Sequence, residues 1–160
     1  MISAKLVEMI EIHANRLTSD VVEDLVTNER TRGFRAARRS DVERRVFDIF
    51  SNLGDWIGNP KAERVRSEFV DWGHLRFGQG IPLSEIVYAI MLVKIHLRRY
   101  IRDNSLVEAA FPYVEQEYIL PMHLHDLQEL NAHVGEFFDE ALYDLACGYE
   151  AAGRDAAVRA

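Results

Sequence analysis

Four residues that can bind a metal ion follow one another in the last third of the chain, namely His125, Glu129, His133 and Glu136. Their spacing of three or four positions places them on one face of a helix. Imidazole and carboxylate groups in that arrangement are ligands for zinc and related metals. The face lies opposite an apolar stripe that starts at Leu127, and no matching Glu-x-x-His pair occurs elsewhere to complete a two-metal shell. We therefore expect a solvated polar face here and no metal site.

Catalytic nucleophiles have little support in the sequence. Cys147 is the single cysteine, and no activating neighbour lies beside it, which favours an inert, partly buried thiol. The chain has no Gly-x-Ser-x-Gly elbow, no P-loop and no Gly-x-Gly-x-x-Gly fingerprint. We therefore expect that the protein is not an enzyme.

Haem iron is the remaining chemistry to consider, and its ligand must be a histidine that points into an apolar pocket. His74 stands in His-Leu-Arg-Phe-Gly before a Gly/Pro corner, a pattern similar to the exit from the proximal-histidine helix of bacterial globins. On a helix, however, His74 falls opposite the arc formed by Val65, Phe69 and Trp72. This position predicts a side chain that faces outward or toward a partner.

The second haem candidate is His96, which lies near Ala89, Leu92 and Tyr100 on the apolar side of its own predicted helix. A core or boundary histidine that satisfies its hydrogen bonds locally is the commoner reason for such a position. Haem binding through His74 or His96 is therefore the alternative, and the leading expectation is a domain without a cofactor.

Arginine is concentrated between positions 30 and 45, where seven arginines stand against two acids. The whole chain nevertheless carries a net charge of −7, which argues against a nucleic-acid partner. Arg35, Arg38 and Arg39 could form a patch for an acidic protein partner. A solvated arm followed by the polar face of a helix is the commoner reason for such a stretch.

The composition is typical of a single globular domain, with 160 residues of which 48% are apolar and 28% charged. We assign residues 1–150 to one helical domain and residues 151–160 to a short polar tail. The N-terminus has acids inside its apolar stretch, unlike a signal peptide, and no stretch is long enough to span a membrane. The lone cysteine suits a reducing compartment. We expect a soluble cytoplasmic protein.

Apolar residues recur with a period near 3.6, and few glycines or prolines interrupt them. This pattern predicts an all-α bundle of about six to seven helices. The first helix is predicted over residues 3–27, with a break around Thr18 and Ser19. Ser40 and Glu43 form a capping-box pattern that predicts the start of a later helix.

Two proline-marked corners divide the middle of the chain. Asn59 is the predicted N-cap of a helix with Pro60 at its first position. That helix ends at the connector 78–82, in which glycines permit positive φ and proline presets the next helix.

The helix that follows, over residues 83–102, is apolar around most of its circumference and is predicted to lie at the centre of the bundle. Pro112 and Pro121 are expected to bracket a turn or a kinked helix. The last helix is predicted over residues 122–149, and its polar tail is expected to fray.

The segment around the second corner resembles a known family. RFGQGIPLSEIVYA, from Arg76 to Ala89, followed by an arginine-bearing helix, is similar to RsbR-type N-terminal sensor domains of bacterial stress signalling. The later FFDEALY, from Phe137 to Tyr143, and GYE, from Gly148 to Glu150, look like the C-terminal part of bacterial relatives of that domain.

This resemblance implies a globin-like helical domain, usually without haem, that pairs as a homodimer and passes a signal to an output module. In the family that module is often a phosphorylatable regulatory domain or a histidine kinase. No output domain follows Tyr149 in this chain, so we expect a free-standing version or a part of a longer protein. Val70 and Phe77 lie off the main apolar arc of their helix and are the predicted homodimer contacts. The leading hypothesis is a non-enzymatic sensory or regulatory signalling module.

Overall fold

The computed structural model describes the backbone of residues 2–109 and 116–160, with side chains for residues 4–105 and 121–160. Within these ranges the chain forms seven α-helices and no strand. They are α1 (Ile2–Ile12), α2 (Ala14–Thr27), α3 (Arg39–Ser51), α4 (Leu53–Gly58), α5 (Glu63–Gly78), α6 (Leu83–Ala109) and α7 (Gln116–Arg159). A 3₁₀ segment, Glu29–Ala36, links α2 to α3. The predicted all-α class and helix number are confirmed, whereas the globin-like arrangement stays a prediction.

The N-terminal helical stretch is broken at His13, and not around Thr18 and Ser19 as the sequence predicts. His13 departs from helical geometry, with φ −94° and ψ 16°, and its Nδ1 lies 2.9 Å from the hydroxyl oxygen of Tyr100 on α6. Thr18 is buried inside α2. The break thus coincides with a contact between distant parts of the chain. Local sequence preferences cannot predict such a contact.

The capping box predicted for α3 is absent. The helix starts at Arg39, and Arg38 occupies the N-cap position without a side-chain capping hydrogen bond. Glu43 instead accepts a hydrogen bond from Nε of Arg39, at 2.8 Å. The prediction built on Ser40 was wrong because Ser40 already lies inside the helix, and Glu43 forms an i,i+4 ion pair with Arg39.

The start of α5 also differs from the prediction. The helix begins at Glu63 with Ala62 at the N-cap, so Asn59 and Pro60 lie before it. The Ala62 amide donates to the carbonyl oxygen of Asn59 at 3.1 Å. This hydrogen bond closes a turn across Pro60 before the helix begins.

The corner between α5 and α6 forms as predicted. Gly80 has a φ of 71°, a left-handed conformation that favours glycine. The Gly80 amide donates to the carbonyl of Phe77 at 2.9 Å, and the Ile81 amide donates to the carbonyl of Arg76 at 3.2 Å. These two bonds are the pair that defines a Schellman motif, which satisfies the last carbonyls of a helix.

Helix α6 is buried over most of its surface, in agreement with its apolar sequence. It runs to Ala109, beyond the predicted end at residue 102. One stripe is open to solvent, because Met91 is 43% and Ile95 41% exposed. The helix is therefore central on three sides and forms part of the surface on the fourth.

Helix α7 is the longest element, with 44 residues and a length of about 66 Å at 1.5 Å per residue. It begins at Gln116 and continues through Pro121, whereas the sequence predicts that the helix starts after this proline. Pro112 lies outside the described residues. The predicted tail also differs, because residues 151–159 continue the helix. Neither α7 nor another helix in the described ranges combines the length and apolar character needed to cross a membrane.

Helices α5 and α7 run parallel and make the most extensive helix contact of the fold. Near one end, Nε of Arg66 lies 3.7 Å from Oδ1 of Asp144. Near the other end, the rings of Phe77 and Tyr149 stack edge to face with centroids 5.2 Å apart. Residue numbers therefore rise together along the two helices.

Two glycines allow α5 and α7 to touch through their backbones. A β-carbon on Gly73 would lie 2.7 Å from the amide nitrogen of Tyr149, and one on Gly148 would lie 2.9 Å from Cα of Val70. Both distances are shorter than side chains tolerate. The close approach of the two helices thus depends on the absence of side chains at these positions.

Candidate functional site

A cavity of about 40 Å³ lies where the 3₁₀ segment meets helices α2, α3, α5, α6 and α7. Its walls are apolar except for Arg45 of α3 and Arg76 of α5. Trp72 and Leu145 are among the apolar residues that line it. An apolar cavity with a few convergent polar groups is the usual form of a small-molecule site.

The position of Arg76 follows from the periodicity of α5. Val65, Phe69, Trp72 and Arg76 follow the three- and four-residue steps of one helix face. The structure buries all four of them, and Arg76 is only 4% exposed. The first three residues define the apolar arc that the sequence predicts, and Arg76 continues it with the same spacing, which is the signal for its burial.

Arg76 and Arg45 share the carboxylate of Asp41, and we call these three residues the arginine cluster. Nη2 of Arg76 lies 3.3 Å from Oδ2 of Asp41, and Nε of Arg45 lies 3.3 Å from Oδ1. Nη1 of Arg76 also donates to Oε1 of Gln79 at 2.8 Å. Burial lowers the pKa of Arg76, and the charge of Asp41 opposes that shift. Asp41 also pairs with the exposed Arg44, whose Nη2 lies 3.1 Å from Oδ1, so this single carboxylate does not neutralise all the positive charge around it.

Aromatic rings hold both guanidinium groups in place. The guanidinium carbon of Arg45 lies 5.2 Å from the ring centre of Trp72, and that of Arg76 lies 5.3 Å from the ring centre of Phe34. Both distances are in the range of cation–π contacts. The buried Nε1 of Trp72 has no hydrogen-bond partner among the described residues. A buried N–H without a partner is costly and calls for an acceptor.

Neither haem candidate is part of this cavity. His74 is exposed, as the helix geometry predicted, and its Nδ1 lies 3.3 Å from the carbonyl oxygen of Val70. Nε2 of His96 lies 2.9 Å from Oδ2 of Asp24 and is occupied by that carboxylate. A haem needs a pocket of several hundred Å³, as do other ligands of drug size and above, and the cavity offers about 40 Å³. The residues present do not fit a haem.

The metal candidates on α7 are spread along its exposed side. His125, Glu129, His133 and Glu136 are all exposed, and Nε2 of His125 lies 3.4 Å from Oε1 of Glu129. Two of them, Glu129 and His133, reach a surface groove of about 490 Å³ between α1, α4 and α7. Within the described side chains, no group of three or more potential ligands could hold a metal ion.

The predicted homodimer contacts Val70 and Phe77 pack within the chain. The backbone of Val70 faces Gly148, and the ring of Phe77 contacts Tyr149 on α7 and faces Gly153. Both side chains are half-buried by these contacts. A role for Val70 and Phe77 between two protomers stays a prediction.

The predicted acidic-partner patch contains one arginine without a side-chain partner. Arg35 lies 2.9 Å from Glu29, and Arg39 lies 2.8 Å from Glu43. By contrast, the side chain of Arg38 is exposed and makes no ion pair or hydrogen bond within the part of the chain that the structure describes. Acids of the same chain therefore neutralise two members of the patch.

Cys147 is partly buried on α7. Interaction with this thiol raises the pKa of Tyr143, which lies one turn earlier. No lysine, histidine or arginine contact activates Cys147 among the contacts described, and its role as a nucleophile has no support.

Comparison of the chain with protein-family models, curated proteins and solved structures finds no match. The resemblance to RsbR-type sensor domains thus depends on the motif residues alone.

Proposed function

We propose that the protein is a non-enzymatic sensory or regulatory module of the RsbR type that acts as a homodimer. The observation that supports this function is the position of two residues on α7. Leu145 lines the cavity, whereas Tyr143 is 67% exposed. One helix thus links the cavity to the surface. A ligand that favours one position of α7 changes the surface that a partner contacts.

The homodimer is proposed to form through exposed apolar residues of α6 and α7. Met91 and Ile95 lie on the open stripe of α6. Nζ of Lys94 lies 3.8 Å from Oδ1 of Asp139, which places this part of α6 beside the turn of α7 that leads to Tyr143. We propose that Met91 and Ile95 form one contact surface with Tyr143, which lies one turn after Asp139, and we call this surface the α6–α7 face. Grouped apolar residues on a surface are typical of a protein contact.

A second copy of the chain is the partner that the charges of this face favour. Arg98 and Arg102 are exposed on α6, while Glu136 and Asp139 are exposed on α7. A two-fold axis that places α6 against the partner's α7 brings these opposite charges together. The same operation pairs the apolar residues of the two copies.

The signal is proposed to pass from the homodimer to a signalling protein, such as a kinase or a phosphorylatable regulatory domain, in the cytoplasm. This part of the proposal derives from the motif between Arg76 and Ala89 and from the later segments that resemble the family. An attached output domain or a separate partner would serve the same purpose.

Sedimentation velocity at micromolar concentration tests the homodimer. We expect a dimer for the wild-type chain and a monomer for Tyr143→Asp, because a buried aspartate at the contact would be unpaired. Val158→Asp is the matched control, since Val158 is 87% exposed on the same helix but lies outside the α6–α7 face. This control should remain dimeric.

A wild-type monomer would overturn the homodimer. A dimer that survives both Tyr143→Asp and Met91→Asp would keep the homodimer but exclude the α6–α7 face. Circular dichroism of each variant establishes that the helices are intact.

A further inference from the structure

The cavity offers hydrogen-bond donors but no free acceptor. Arg45 contacts Asp41 through Nε, and its terminal nitrogens make no hydrogen bond to the described residues. The N–H of Trp72 likewise has no partner there. The other residues that line the cavity are apolar. A ligand in this cavity must therefore bring the acceptor atoms itself.

The arginine cluster favours a negatively charged ligand. Arg45 and Arg76 carry two positive charges at the cavity, and their carboxylate, Asp41, is also shared with the exposed Arg44. Among apolar walls, an anion would compensate the positive charge that Asp41 leaves over. Guanidinium groups bind the two oxygens of a carboxylate in a matching planar geometry.

The size and lining of the cavity limit the rest of the ligand. A volume of about 40 Å³ admits only a small molecule. Val42, Ile49 and Ile90 line it opposite the polar groups, so the part of the ligand that lies against them must be apolar. These limits describe a short alkyl chain on a carboxylate.

From these observations we infer that the cavity binds a short-chain monocarboxylate, such as propionate, with its carboxylate held by Arg45, Arg76 and the N–H of Trp72. This inference deepens the proposed function, because it names the class of small molecule that would act on α7. Binding is read on the protein whatever its oligomeric state, so a failure of the homodimer does not affect the result.

Thermal unfolding in increasing sodium propionate tests the inference directly. We expect Tm to rise and to approach saturation, because only the folded chain has the cavity. Sodium chloride at equal ionic strength controls for a general anion effect, and propionamide controls for the negative charge at nearly the same shape. Neither control should raise Tm as propionate does. Hexanoate should bind less well than propionate because its chain exceeds the cavity.

Calorimetric titration of two variants locates the site. Arg45→Gln removes one guanidinium and should weaken propionate binding at least tenfold. Trp72→Phe keeps an aromatic ring beneath Arg45 but deletes the N–H donor, and it should weaken binding at least threefold. Arg39→Gln is the matched control, because Arg39 is exposed and lies outside the cavity; its affinity should stay within twofold of wild type.

Three outcomes overturn the inference. They are a Tm response to propionate no larger than the response to chloride, an equal response to propionamide, and an affinity that neither Arg45→Gln nor Trp72→Phe reduces. If circular dichroism shows that Arg45→Gln does not fold, Trp72→Phe decides alone. A wild-type dimer that binds no propionate leaves the proposed homodimer standing and removes only the ligand class.

Discussion

The backbone of Val70 on α5 lies directly against Gly148 on α7, with no space for a side chain between them. A β-carbon on Gly148 would be 2.9 Å from Cα of Val70 and nearer still to its carbonyl group. The two helices therefore meet through main-chain atoms at this point, and their separation is determined by glycine.

Gly148→Ala should destabilise the fold. The added methyl group can be accommodated only by a backbone shift, and overpacking of this kind costs about 2 kcal/mol. Gly135→Ala is the matched control, because Gly135 lies in the same helix and a β-carbon there meets nothing within 4 Å. That control should gain about 0.5–1 kcal/mol from helix propensity. Urea unfolding measures both, and equal midpoints would contradict the close approach.

Gly80→Ala should also lower the free energy of unfolding. Gly80 has a φ of 71°, and a residue with a β-carbon in that region costs about 1–2 kcal/mol. Gly78→Ala is the comparison, since Gly78 has negative φ at the end of α5 and open space around it. We expect no loss of stability for Gly78→Ala. If the two variants unfold at the same urea concentration, alanine adopts the backbone conformation at position 80 without strain.

Asp41→Asn should destabilise the protein by about 3 kcal/mol, because it leaves the buried guanidinium of Arg76 without a counter-charge. Asp55→Asn serves as the control, since the ion pair of Asp55 with Arg64 is exposed and surface pairs contribute little. Urea unfolding of the two variants at pH 7 compares them. A similar small effect for both would show that Asp41 does not compensate the arginine cluster.

Asp144→Asn should stabilise the protein at neutral pH. Burial raises the pKa of Asp144, and the charge of Arg66 opposes this shift. The carboxyl group of Asp144 therefore binds its proton more tightly in the folded chain than in the unfolded chain. Stability then falls as the pH rises above the ordinary carboxyl pKa of about 4. The gain from Asp144→Asn should therefore shrink as the pH is lowered toward 4.

Asp155→Asn is the control for that pH series, because Asp155 is exposed on the same helix. Its effect on the unfolding midpoint should stay small across the same pH range. If the stability gained from Asp144→Asn instead grows toward acid pH, the pKa of Asp144 is not raised by folding.

Hemin titration followed by absorbance addresses the haem alternative. We expect no stoichiometric Soret band, because His96 is bonded to Asp24 and the cavity is too small for a haem. Stoichiometric uptake that His96→Ala abolishes would restore the haem hypothesis.

The fold class followed from the sequence because it depends on local information. Apolar periodicity marks helices, and Gly80 and Pro82 mark the corner. The break at His13 could not be predicted in the same way, because the partner of its imidazole is Tyr100, far along the chain. The absence of the capping box could not be predicted either, because the helix starts before Ser40 and Glu43 pairs with Arg39.

The candidate site was less accessible to prediction than the fold. Asp41 and Arg45 appeared in the sequence as members of a charged stretch, and Arg76 as part of a corner motif. Their meeting requires α3 and α5 to pack together. Only the burial of Arg76 had a signal in the sequence, namely its place four residues after Trp72 on the apolar arc of α5.

The parallel course of α5 and α7 has a consequence for the order of folding. Gly73 and Gly148 are about 75 residues apart, and the chain must reverse direction through α6 before the two glycines can meet. Closing so long a loop costs conformational entropy before the contact between the two glycines can form. Contacts between such distant parts of a chain therefore form slowly. We therefore expect the backbone junction at Gly148 to form late in folding, after α6 has formed.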